Sequence, residues 1–304
     1  MSTDPQASWA REPAAVVAVV AGAPVAVLGE GPVWDARTQQ LAYVDLLAGL
    51  VHVVTVDGID AVPVRTVEIG RPVGAIAPWA DGWILAVENG FQRRDADWQV
   101  TWSQEVFAAD GVFRFNDASV DPRGRFFAGT LAYDEPTALG ALYRLDPDGS
   151  HRVVIPRLGI ANGIGWSPDL ETMYVADSLA GVVYAYEYDE ATGELGADRV
   201  FYAHPDDGAA PDGLTVDAEG GVWIALWDGG RVLRVDQGGT VTDVVPIGVP
   251  RPTSLAFAGP DLDRLYVTSA ADRLTLQKIQ NAPESGRLHT FVPRIPGQPT
   301  GTGS

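Results

Sequence analysis

Four side chains stand out for the chemistry they could do together. Glu30, Asn116, Asn162 and Asp212 each present oxygen, and each opens a segment of one form: a polar residue, a small one, two or three apolar or small ones, then a turn of Pro, Gly or Asp. The segments read Glu30-Gly31-Pro32-Val33-Trp34-Asp35, Asn116-Asp117-Ala118-Ser119-Val120-Asp121-Pro122, Asn162-Gly163-Ile164-Gly165-Trp166-Ser167-Pro168 and Asp212-Gly213-Leu214-Thr215-Val216-Asp217. Fainter copies begin at Val73 and Thr253, which spaces the equivalent positions by 43, 43, 46, 50 and 41 residues. Carboxylate and carboxamide oxygens that converge with a net charge of −2 suit a hard divalent cation such as Ca²⁺, Mg²⁺ or Mn²⁺, and carboxylates also serve Zn²⁺. Taken singly, Asn-Gly and Asp-Gly are common turn dipeptides. The shared register is what points to ligands.

The elements that must position these residues are short and β-rich. Leu41-Ala42-Tyr43-Val44-Asp45, Trp83-Ile84-Leu85-Ala86-Val87, Met173-Tyr174-Val175-Ala176-Asp177 and Gly221-Val222-Trp223-Ile224-Ala225 follow the repeats as strands, with a second strand pattern after most of them. No segment keeps a long 3.6-residue apolar period, so little helix is expected. Repeats of this size containing about four strands each are the pattern of propeller blades. The expected architecture is all-β: a single six-bladed β-propeller over residues 14–295, with a central metal site ringed by Glu30, Val73, Asn116, Asn162, Asp212 and Thr253. A strand from Ala14 to Val20 would pair with the last blade and close the ring, removing exposed edges. Residues 1–13 and 296–304 are expected to be disordered.

Composition narrows the function. The 304 residues contain no Cys, which excludes a disulfide scaffold, an iron–sulfur site and a thiol nucleophile. A formal charge of −19 repels phosphate backbones and anionic lipid, so neither nucleic acid nor membrane is an expected partner. No apolar run approaches the roughly 20 residues of a membrane span. The apolar stretch from Ala14 is preceded by Asp4 and Glu12, which suits a strand better than a secretory leader, and a cytoplasmic location is expected. His52, His151, His204 and His289 lack metal-binding spacing, and His204 reads as loop. Ser178 sits in no nucleophile elbow. Trp34, Trp166 and Trp223 read as core, while Trp102 and Tyr133 are candidates for the pocket entrance.

The repeat motifs resemble those of the gluconolactonase/regucalcin family. Gly29 to Trp34 is similar to its first motif, and Arg114-Phe115-Asn116-Asp117 through Gly129-Thr130 to its longest. Ala161-Asn162-Gly163-Ile164 with Tyr174 to Ser178 is similar to its third, and Pro211-Asp212-Gly213 through Trp223 to its fourth. Ala118 departs from the usual Gly. The resemblance implies a six-bladed propeller in which Glu30, Asn162 and Asp212 bind one divalent cation directly (Ca²⁺, Zn²⁺, Mn²⁺, Mg²⁺ or Fe²⁺). It also implies that Asn116 lies near the cation and touches substrate or water, and that Arg114 contacts substrate oxygens. Asp134 stands where the family often has Glu, and is carried over as a substrate contact. The implied reaction is opening of a sugar lactone to the aldonic acid, with Asp212 taking the proton of the attacking water. Two other readings are a calcium-dependent phosphotriesterase-like hydrolase, whose pocket would have an apolar wall, and a non-catalytic metal-binding propeller.

Overall fold

The computed structural model describes residues 15–134, 139–299 and 301. They form six four-stranded antiparallel sheets, each built from chain-consecutive strands except the last. The innermost strands are Gly29–Asp35, Val73–Trp79, Phe113–Val120, Ala161–Trp166, Ala210–Val216 and Pro252–Ala258. Each packs against the innermost strands of the blades on either side, and the sixth returns to the first, so the ring is closed. Blades bury both faces of their inner strands against neighbours, which is why Leu41 to Val44 and Val222 to Leu226 are continuous apolar runs. The outermost strand Val100–Glu105 faces water on one side and alternates in exposure. One short helix is described, Leu276–Asn281, whose first turn is capped by the Thr275 hydroxyl accepting from Lys278 N.

Closure uses the N-terminal segment, over a shorter span than the sequence implies. Ala18–Val19 is the outermost strand of blade six, with Ala18 opposite Thr290 and Val19 opposite His289. Beyond it the chain leaves the blade: Ala21 N donates to Ile59 O at 2.8 Å, and Ala21 bridges Asp60 in blade one. The expected disorder of residues 1–13 concerns residues outside the described ones.

Every innermost strand slips register at the repeat position. The shifts fall at Glu30/Val33, Val73/Ala75, Phe115/Ala118, Ala161/Ile164, Pro211/Leu214 and Pro252/Leu255. A bulge adds an unpaired residue and re-aims the side chains beside it. The Asn-Gly and Asp-Gly pairs are therefore strand bulges and not the turns their composition also allows. Their glycines answer a packing demand. A Cβ on Gly163 would sit 2.4 Å from Leu214 N, and one on Gly213 would sit 2.1 Å from Ser254 Oγ. Only a bare Cα lets the neighbouring inner strand come this close. The turns lie at the repeats' Asp residues: the fully buried Asp217 accepts from Gly221 N, from Trp223 Nε1 at 2.9 Å and from Arg234 Nε at 2.7 Å.

The end of the chain departs from the expectation of a disordered 296–304. Pro296 O accepts from Ala218 N at 3.0 Å, Gly297 N donates to Leu262 O at 2.7 Å, and Gln298 Nε2 donates to Trp166 O at 2.7 Å. Gly301 lies against the Asp121 backbone. The segment thus crosses blades six, five, four and three, and with Trp34 and Trp166 it encloses a cavity of about 110 Å³ at one end of the channel. Its Pro and Gly content looks unstructured, but backbone groups supplied by four blades hold it. Residues 300 and 302–304 are outside the described ones.

His289, on the strand that pairs with Val19, is 2% exposed and both its ring nitrogens lack partners. Burial lowers its pKa from 6.5 to about 4. The unfolded chain therefore binds a proton between those values that the folded chain refuses, and stability falls as pH drops through that window. The shift corresponds to about 3 kcal/mol when complete. His289→Leu is expected to lose about 2–3 kcal/mol less than the parent between pH 7 and pH 4 in urea titrations. Equal losses would show that His289 does not carry the acid sensitivity.

Candidate functional site

Glu30, Asn116, Asn162 and Asp212, from blades one, three, four and five, all line one cavity of about 430 Å³. Each is at most 5% exposed. Asn162 Nδ2 donates to Asp212 Oδ1 and, at 3.1 Å, to Ser178 Oγ. That orientation leaves Asn162 Oδ1 buried with no hydrogen-bond partner. Glu30 and Asp212 have their carboxyl pKa values pushed well above the usual range, first by burial and then by neighbouring carboxylates: Asp212 and Asp117 for Glu30, Asp117 for Asp212. Asp117 itself is pushed up to about 6 by burial. Buried carboxylates that resist ionisation beside an unmatched carbonyl oxygen form an oxygen donor set for a hard cation, and they fit the residues Glu30, Asn162 and Asp212 to that role. Among the described residues no three His, Asp or Glu side chains group as a metal site. The candidate set differs in taking its third donor from a carboxamide.

Asn116 is oriented otherwise. Its Nδ2 donates to Ala161 O at 3.2 Å, and its Oδ1 accepts from Arg114 Nη1 at 2.7 Å. Arg114 also donates to Phe115 O at 3.2 Å and lies 5.8 Å from the centre of the Tyr133 ring. Asn116 thus fixes Arg114 at the cavity wall. The remaining ring positions stay out of the cavity. Val73 is core, and Thr253 donates to Gly29 O at 2.6 Å. Asp134 is exposed and does not line the cavity. Tyr133 does line it, while Trp102 lies on an outermost strand, 4.8 Å from the Arg93 guanidinium. His204 pairs with Tyr202 and Asp207 away from the cavity.

Trp227, Arg251, Asp272 and Arg273 also line the cavity, and the sequence reading missed them. A signal for one existed. Arg251 stands two residues before Thr253, as Arg114 stands two residues before Asn116. The same offset marks Leu28, Ile160 and Ala210, and all five line the cavity. The repeat therefore carries two levels of inward positions, of which only the deeper one has oxygen-bearing residues in most blades.

Fold and site define a propeller whose channel ends in an open pocket lined by both carboxylates and arginines and suited to a small polar molecule. Residues 28–271 match the SMP-30/Gluconolactonase/LRE-like region, and the chain belongs to that family. It is 40% identical over 245 residues to the pentonolactonase XacC of Haloferax volcanii, covering 80% of this chain and 81% of that one. It is 35% identical to a regucalcin of Xenopus laevis, covering 87% and 90%. Among solved structures, a calcium-binding regucalcin from Agrobacterium tumefaciens superposes with a TM-score of 0.89 at 26% identity, covering 95% of this chain and 98% of that one. Among the described residues no helix is long and apolar enough to cross a membrane.

Proposed function

We propose that this protein is a metal-dependent hydrolase that opens a sugar lactone to its aldonic acid. One observation carries the reading: buried Glu30, Asn162 and Asp212 converge beside an open polar cavity, with Asn162 Oδ1 unmatched. The kinship to a pentonolactonase supports the same class of substrate. Eleven of the seventeen lining residues, Tyr133 and Trp227 included, bear charged or hydrogen-bonding side chains, which supplies the several polar contacts a polyhydroxylated ring needs, beside an apolar stretch of wall from Leu28, Leu47, Leu131, Ile160 and Leu179. The cavity's openness beside the donor set likewise favours turnover over a closed, purely structural cation site.

A divalent cation held by Glu30, Asn162 and Asp212 would supply Lewis acidity to the ester carbonyl and to the attacking water. The protein's own groups do the rest. Asp212 has Oδ1 fixed by the Asn162 amide, which sets the plane of the carboxylate. Its second oxygen then takes the proton of the water as it adds to the carbonyl. Arg114, held by Asn116, donates to the ring or carbonyl oxygen as negative charge develops there. Collapse of the tetrahedral carbon breaks the ring C–O bond, and the proton on Asp212 passes to the departing alkoxide.

Acid release from a panel of aldonolactones, with chelator and with added Ca²⁺, Mn²⁺, Zn²⁺, Mg²⁺ or Fe²⁺, tests this reading. Turnover should vanish on exhaustive chelation, checked by metal content, and return with at least one cation. Activity that survives in metal-free protein, or no lactone turnover with any cation, would overturn it.

A further inference from the structure

Arg251 is built into the cavity wall more firmly than a surface arginine need be. It is 8% exposed. Its Nε and Nη2 donate to Asp228 Oδ1 and Oδ2 at 2.8 and 3.0 Å, its Nη1 donates to Asp272 O, and its guanidinium lies 4.5 Å from the centre of the Trp227 ring. Three of the five N–H groups are committed by these bonds, so two remain in a fixed plane. Asp228 holds a left-handed backbone conformation, φ +55°, to make the pair. Arg251 occupies the repeat position that Arg114 occupies in blade three, and it opens blade six. In a closed ring of six, those blades are opposite. The cavity therefore carries Arg114 on one side of the channel axis and Arg251 on the other, with Arg273 and the oxygen donors of Glu30, Asn162 and Asp212 also on its lining.

We propose that Arg251 is a specificity-determining residue that binds the exocyclic, oxygen-bearing end of the substrate while Arg114 serves its reacting end. Asp228 and Trp227 are positioning residues that act through Arg251. The inference rests on the lactonase reading and adds which part of the substrate is selected. A planar pair of fixed donors matches a terminal hydroxyl with its neighbour or, bidentately, a terminal carboxylate, and the two share the chemistry of paired oxygen acceptors.

The test compares the δ-lactones of xylonic, gluconic and glucaric acid, which differ at the carbon beyond the ring: none, a hydroxymethyl group, a carboxylate. Holoprotein and its Arg251→Met, Arg251→Lys and Asp228→Asn variants are assayed for kcat and KM, with thermal melts to verify folding. Arg251→Met is expected to raise KM for one or both tailed lactones by about tenfold or more relative to the xylonic one, with the kcat ratios between lactones held within about threefold. Asp228→Asn should shift the same ratio by less, and Arg251→Lys should recover part of the loss. A change with the glucaric lactone alone identifies an acidic tail as the preferred ligand, and a change with both identifies hydroxyl recognition. Equal KM changes across all three lactones, or none, would overturn the assignment. If Arg251→Met does not fold, Asp228→Asn decides by the same ratio. No turnover by the parent protein would instead sink the lactonase reading, and this inference with it.

Discussion

Asp212→Asn is expected to reduce lactone turnover by at least about 10³-fold, because it removes the proton acceptor and one of two anionic oxygens offered to a cation. The same change should make the metal-free protein more stable. Burial and the Asp117 carboxylate raise the Asp212 pKa well above its usual value, so the folded state favours the protonated form. A group raised in this way contributes stability at low pH and loses it as pH rises through the folded pKa. At neutral pH the metal-free protein carries that penalty, and Asn does not titrate. Calorimetry in chelator at pH 7 should show Tm for Asp212→Asn higher by about 3 °C or more, while added Ca²⁺ should raise Tm for the parent and not for the variant. A variant that melts below the parent in chelator, or that keeps both turnover and stabilisation by the cation, would remove Asp212 from the centre of the site.

Gly163→Ala should be among the more damaging substitutions of a single hydrogen by a methyl group in the inner ring. The new Cβ would meet Leu214 N at 2.4 Å and Asp212 O at 2.7 Å, so the strands of blades four and five must part. The expected cost is about 1–3 kcal/mol, the range for overpacking, and turnover should fall about 10²-fold because Asn162 and Asp212 lose their mutual placement. Gly165→Ala is the matched control. It lies on the same strand and would meet Leu214 Cδ1 at 2.9 Å and Val216 Cγ2 at 3.1 Å, which are side-chain ends that can rotate. Its turnover should stay within about threefold of the parent, since no backbone beside Asn162 moves. Equal effects of the two substitutions on turnover and urea midpoint would mean that the close approach at Gly163 does not set the ligand geometry.

Gly163 and its counterpart Gly213 show how much of the site was legible. Gly163 and Gly213 follow Asn162 and Asp212 in the sequence, and the recurrence of that pairing placed both ligand candidates at one level of one ring. The reason for the glycine was hidden, because a turn and an inter-strand approach demand the same residue. Asp134 shows the opposite case. Its place after Gly129-Thr130 suggests a substrate contact, while in the structure its side chain is exposed and outside the lining of the cavity. Loop direction depends on what the loop packs against, and no local spacing encodes that. The C-terminal Pro-Gly segment was misread for a related reason: its partners Leu262, Ala218 and Trp166 are supplied by three different blades.

The sequence by itself determined the number of blades, the closing role of the N-terminal strand and the ring of Glu30, Asn116, Asn162 and Asp212, since each is a property that repeats and a repeat can be counted along a chain. Tertiary structure alone decided that Asn116 holds Arg114, that Asn162 keeps a buried oxygen unmatched, and that Trp227 and Asp228 fix Arg251 in the cavity wall. Those arrangements depend on side-chain orientation within an inner strand, as for Arg114 and Asn116, or join residues from different blades, as for Asn162 with Asp212 and Asp228 with Arg251. Their geometry exists only once the ring has closed and brought distant segments to a common axis.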